Sequence, residues 1–190
     1  ATEQVKTKIR QLYPNWNNEA VLLLNVNASD MLPQRRWPPE NFGVVGKQLL
    51  NQFPNIIIIM TGSPAEKEYV QAVTDMIGDP RCINSSGFFS FDELVPLYDL
   101  STCMLTNDSG PAHFAAVTNL KVFVLFGPET PHLYLPLGGN AEPFYLGLPC
   151  SPCVSAANHR KTSCTERPCI TGIHPALVLN RLNIYLSERK

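Results

Sequence analysis

The chain has 190 residues, 44% of them hydrophobic, with 15 basic against 16 acidic side chains and a net charge of −1. That length buries a full core as one domain, and the balanced charge excludes the basic footprint of a nucleic-acid binder. No apolar run approaches the roughly 20 residues of a membrane span; the first residues, Ala-Thr-Glu-Gln-Val-Lys, lack the layout of a secretory signal and start without Met, as a processed product or an excised piece does.

Val5, Ile9 and Leu12 fall at helical spacing within residues 3–13, with Pro14 beyond the end. Residues 20–26 form a continuous apolar run of the kind a central parallel strand needs, and it exits through Asn27-Ala28-Ser29-Asp30. Pro38-Pro39-Glu40 opens a second helix carrying Phe42, Val45, Leu49 and Leu50. Residues 56–60 read as the next strand, leaving through Thr61-Gly62-Ser63. A capping box, Ser63 with Glu66, starts a helix whose buried face is expected at Tyr69, Val73, Met76 and Ile77. Residues 81–84 make a short third strand. Ser90 with Glu93 then caps a helix holding Leu94, Leu97 and Tyr98. Residues 102–106 and 122–126 are the fourth and fifth strands. Residues 127–173 are rich in Pro, Gly and Cys and read as loop, and Val178, Leu182 and Tyr185 mark a last helix over about 175–187.

Strands alternating with helices predict an α/β fold, a parallel sheet covered by helices on both faces. The expected organisation is one domain over 1–190, with a loop-rich Cys segment at about 136–173 before the last helix. Ligands of such sheets bind at the carboxyl ends of the strands. All five exits here are small, polar or glycine-containing, although strand-to-helix loops favour such residues in any case.

The fourth exit, Thr-Asn-Asp-Ser-Gly-Pro-Ala-His over 106–113, is the most informative. Gly110 admits positive φ or the close approach of a ligand, Pro111 suits a first helical position, and the helix amino-terminus that follows favours an anion. His113 can donate to a phosphate oxygen or sit in the core bonded to a carbonyl. Asp108 can accept from ligand hydroxyls or only stabilise its own turn. In Arg35-Arg36-Trp37, Arg35 suits phosphate recognition or belongs to a solvated loop beside a packed Trp37. No G-x-G-x-x-G follows the first strand and no G-x-x-x-x-G-K-[ST] occurs, which argues against a nicotinamide enzyme and a phosphate-loop hydrolase. Cys82 and Cys103 read as core residues. Cys150, Cys153, Cys164 and Cys169 admit a zinc site, two disulfides or four reduced thiols, and no metal site is assigned to them.

With these residues assembled, the chain resembles glycosyltransferase family 9, the heptosyltransferase family, in its carboxyl-terminal half. The likeness rests on Asn107-Asp108-Ser109-Gly110-Pro111-Ala112-His113, on Phe126-Gly127-Pro128-Glu129-Thr130-Pro131 beside that family's F-G-P-T-x-P, and on Arg35-Arg36-Trp37-Pro38 beside its K-x-W-P. The resemblance implies the Rossmann-like, donor-binding half of a GT-B glycosyltransferase. It places Asp108, Ser109, Gly110 and His113 at the donor diphosphate and sugar, Ser29 and Arg35 at the phosphates, and Glu66 or Glu68 near the nucleoside. Arg35 stands where the family has Lys, so charge is kept and geometry is not. The implied donor is a nucleoside diphosphate sugar, ADP-heptose by family default, with no further cofactor, and the implied acceptor is a glycolipid of the lipopolysaccharide core. No catalytic residue falls in this chain, because the acceptor domain with its carboxylate precedes this region in the family. The implied location is the cytoplasm, at the cytoplasmic face of the inner membrane. A non-catalytic nucleotide-sugar module and another GT-B enzyme, such as a sugar-nucleotide epimerase, are the alternatives.

Overall fold

The isoleucine-rich run at 56–60 suits a strand because β-branched side chains pack well on a pleated surface, and the leucine-rich run at 20–26 is a short continuous apolar stretch of the kind a buried parallel strand uses. In the computed structural model, which describes residues 1–189, six strands form one parallel sheet. They are β1 (Ala20–Asn25), β2 (Ile56–Met60), β3 (Cys82–Asn84), β4 (Cys103–Asn107), β5 (Lys121–Leu125) and β6 (Ala141–Phe144), in the order β3-β2-β1-β4-β5-β6. Register pairs Leu24 with Met60 on one side and with Leu105 on the other, so the carboxyl ends finish at one level.

Alternate residues of each strand serve opposite faces, as a period of two requires. Leu22, Leu24, Ile58, Met60, Leu105 and Phe123 pack with Val45 and Leu49 of α2 (Pro39–Gln52), Val73 and Ile77 of α3 (Lys67–Ile77) and Leu182 of α8 (Pro175–Ser187). Val21, Leu23, Ile57, Ile59, Met104 and Val124 pack with Val5 and Ile9 of α1 (Thr2–Leu12) and Leu97 and Tyr98 of α4 (Phe91–Leu100). The sheet is therefore covered on both faces, as its unbroken apolar strands require.

Both expected capping boxes form. Ser63 and Glu66 open a 3₁₀ turn that leads into α3, and Ser90 and Glu93 open α4. The inner face of α3 differs from expectation: Val70 joins Val73 and Ile77 in the core, Tyr69 is half-buried and Met76 is 49% exposed. The spacing alone left the helix phase one residue adrift.

Residues 127–173 are also less irregular than expected. They contain β6, α6 (Pro131–Tyr134) and α7 (Pro168–Thr171). The strand signal of β6 is hidden by Glu142 and Pro143, residue types that a strand tolerates at a sheet edge, and β6 is an edge. The last helix matches its expected span.

Candidate functional site at the strand exits

The chain order reverses between β1 and β4, and a crevice opens at the carboxyl ends beside such a switch point. A cleft of about 360 Å³ lies there. Its polar lip comes from Asn25, Ser29, Thr61, Gly62, Ser85, Ser109 and Gly110, and Phe89, Phe91 and Tyr98 supply an apolar wall. Gly62 has no room for a side chain, since a Cβ would stand 2.9 Å from Ser86 Oγ and 3.0 Å from Asn27 Nδ2.

Neutral hydrogen bonds hold the lip in shape. Asn25 Nδ2 donates to Thr106 Oγ1 and to Ser109 Oγ, both at 3.1 Å, and Ser109 Oγ donates to the Asn107 carbonyl at 3.1 Å. Asn107 spans the switch point from the other side. Its Nδ2 donates to the carbonyls of Val26 and Asn27 at 3.0 and 3.2 Å, and its Oδ1 accepts from the Trp37 backbone N–H at 2.9 Å. The buried Trp37 indole in turn donates to the Ile173 carbonyl at 2.8 Å, which ties the loop after β1 to the segment before α8. Trp37 is thus packed as expected, while Asn25 and Asn107 are organising residues that the sequence reading passed over. Their signal was available: each is an Asn at the last position of a central strand, where its backbone groups are already paired and its side chain is free to cross-link.

Across the turn after β4 the chemistry changes from neutral to charged. Asp108 is buried, with its backbone N–H on the Leu125 carbonyl at 3.1 Å. Arg35 Nη1 lies 3.8 Å from Asp108 Oδ2 and 3.6 Å from Oε2 of Glu129, at the exit of β5. Glu129 Oε1 lies 3.4 Å from Arg160 Nε. Burial, reinforced by the Glu129 carboxyl beside it, pushes Asp108 up to about 7 against the opposing pull of Arg35 and Arg160. Arg35 is consequently not a solvated loop residue, because two carboxylates face it.

The helix after the turn is shorter than expected. α5 (Gly110–Phe114) makes little more than one turn before a 3₁₀ turn over Ala115–Val117, so its dipole is small and the exposed hydroxyl and N–H groups matter more. Gly110 does not take positive φ, and a Cβ there would meet only Phe114 ring carbons at 3.6 Å and beyond. His113 is exposed, which excludes the core position considered for it. Ser29 is exposed on the lip and its Oγ accepts from the Met31 N–H at 3.1 Å. Glu66 lines the cleft while its Oε2 accepts from the Ser63 N–H at 2.7 Å, and Glu68 is exposed and does not line it. Ser29, Ser109, Gly110 and Glu66 therefore share one cleft, and Asp108 and Arg35 share the charged cluster beside it.

All six cysteines are free thiols. Cys82 and Cys103 are core residues whose burial pushes each thiol up to about 12. Among the described residues no three His, Cys, Asp or Glu side chains are arranged to hold a metal ion, the cysteines of the 150–169 stretch included.

The pattern of glycosyltransferase family 9 (heptosyltransferase) matches residues 2–163 of this chain. The chain belongs to that family. Lipooligosaccharide heptosyltransferase 2 of Haemophilus influenzae is 31% identical over 113 residues, which is 57% of this chain and 32% of that protein. Lipooligosaccharide heptosyltransferase 2 of Campylobacter jejuni is 26% identical over 87% of this chain and 50% of its own length. Among solved structures, the ADP-heptose LPS heptosyltransferase II of E. coli superposes with a TM-score of 0.76 at 22% identity, covering 100% of this chain and 53% of that one. A family 9 glycosyltransferase from Veillonella parvula gives 0.77 at 20%, covering 98% and 51%. The fold is the Rossmann-like half of a GT-B glycosyltransferase, and the chain spans about half the length of these family 9 structures.

Proposed function

We propose that this family 9 chain is a single donor-binding domain, the half of a glycosyltransferase that holds a nucleoside diphosphate sugar for transfer to a lipopolysaccharide-type acceptor. The observation that carries the reading is the cleft, with hydroxyls and amides on its lip at the switch point and an aromatic wall behind. A diphosphate suits the lip, and a nucleobase suits the flat apolar wall of Phe89, Phe91 and Tyr98. Ser29, Ser109 and Gly110 would border the diphosphate, His113 would reach it from the first turn of α5, and Glu66 would stand at the nucleoside side with Glu68 further out. Asp108 and Arg35 would flank the sugar end. The relatives are named for heptose transfer, so ADP-heptose is the donor expected, and it needs no cofactor because its own nucleoside diphosphate is the leaving group. His113 and Arg35 would steady the charge that develops there.

Transfer itself requires an acceptor domain, outside these residues, to close over the donor and exclude water. No helix among the described residues is long and apolar enough to cross a membrane; work at the cytoplasmic face of the inner membrane is part of the proposal. Calorimetric titration of the chain with ADP, UDP and ADP-heptose tests it. ADP and ADP-heptose are expected to bind, and His113→Ala is expected to weaken both by about 10–150-fold, the worth of one charge-assisted hydrogen bond. A folded chain that binds no nucleoside diphosphate overturns the reading.

A further inference from the structure

Asn25, Asn107 and Ser109 on the neutral side of the site are hydrogen-bonded, and the charged side is not. Arg35 Nε, Asp108 Oδ2 and Glu129 Oε1 are all buried without a hydrogen-bond partner. Glu129 itself is only 2% exposed, and the donor reading gives it no role. Ionic groups taken out of water are costly unless paired and hydrogen-bonded, and an apolar cluster of the same volume is often as stable. A fold that keeps four charges here needs a reason beyond stability.

The distances suggest the reason. Glu129 faces one arginine with each oxygen: Arg35 Nη1 at 3.6 Å from Oε2 and Arg160 Nε at 3.4 Å from Oε1. The three residues come from separate segments, namely the exit of β5, the loop after β1 and the Cys-rich stretch. Asp108, from the exit of β4, meets the same Arg35 nitrogen at 3.8 Å.

We propose that Glu129 is a positioning residue of the donor site, setting the Arg35 guanidinium beside Asp108 with one oxygen and drawing Arg160 to the same point with the other. The proposal rests on the donor-binding reading for its consequence, which is that Arg35 meets the donor in a fixed pose. It also makes a sign prediction. Removing a negative charge near an anionic ligand should tighten binding by Coulomb's law alone, whereas losing the positioning of Arg35 should weaken it.

Two measurements on the full chain decide the matter. In nitrogen–proton NMR spectra, the wild-type Arg35 Nε–H, assigned by its absence in Arg35→Lys, is expected to exchange slowly because it is buried. In Glu129→Gln it is expected to exchange fast and broaden. Titration with ADP is then expected to show roughly tenfold weaker binding to Glu129→Gln, the loss of about one well-placed charged contact. Should Glu129→Gln fail to fold, Glu129→Asp keeps the charge but is too short to reach both arginines, and a smaller loss of the same sign is expected. An unchanged Arg35 signal, or ADP binding equal to or tighter than wild type, overturns the inference. Wild type that binds no ADP overturns the donor reading instead, while the NMR comparison still decides whether Glu129 holds Arg35.

Discussion

The two sides of the β4–α5 turn solve the same problem in opposite ways. On the cleft side, Asn25, Thr106, Ser109 and Asn107 are neutral, and their hydrogen bonds lie between 2.9 and 3.5 Å. That shape costs no charge desolvation and persists without a ligand. On the other side, Arg35, Asp108, Glu129 and Arg160 are charged, meet at 3.4–3.8 Å and leave buried atoms unpartnered. Rigidity and responsiveness are thus separated by one tight turn. The neutral frame fixes where a ligand lies, and the charged cluster is free to answer its charge or the pH.

Breaking the neutral side should cost most. Asn107→Ala strands the Trp37 N–H and removes two further buried bonds, so it is expected to destabilise by about 2–4 kcal/mol in denaturant melts. A loss under about 0.5 kcal/mol would mean that water or a shift of the loop after β1 replaces the clamp. The charged side should give a smaller effect of the opposite sign that depends on pH. Asp108 sits at about 7 in the folded chain, above its ordinary range near 4, so folded protein binds the extra proton between those values. Stability from this group is present below pH 4 and is lost as pH rises to about 7. Asp108→Asn, neutral at every pH, is expected to be more stable than wild type at pH 8 by on the order of 1–2 kcal/mol, with the gap closing toward pH 5. Parallel melting curves at both pH values would sink that account. Smallest of all is Gly110→Ala, where a Cβ at an ordinary φ makes only van der Waals contact with the Phe114 ring, at 3.6 Å. Its stability should change by less than about 1 kcal/mol, and weakened ADP binding without a change in melting would sharpen the distinction between a ligand surface and a structural one.

Much of this was legible from residue order. Apolar runs located five of the six strands, two Ser-x-x-Glu boxes located helix starts, and the small polar exits of several strands line one cleft. What stayed hidden was hidden for physical reasons. β6 carries Glu142 and Pro143 because an edge tolerates them, and that tolerance erases the periodic signal. The α3 face shifted because Val70 and Met76 are both apolar and only packing against α2 decides between them. Ser29, Ser109, Gly110 and Glu66 could be grouped in advance because they sit at predicted exits. Glu129 could not be grouped with Arg35, since the pairing is made by strand order, which brings β1, β4 and β5 side by side. The fate of His113, exposed rather than buried, turned on the shortness of α5, which no spacing rule reveals.

The strand that was hardest to read has a consequence for how the molecule behaves in company. An open sheet ends in two rows of unpaired peptide groups, and each is a template on which another chain can add. One end here is β3, only three residues long. The other is β6, where Pro143 has no N–H to offer and Glu142 is clasped by Lys121 and Arg181 at 2.9 and 2.7 Å. Neither border offers a long, unbroken row of donors to an added strand, while the centre of the sheet remains almost wholly apolar.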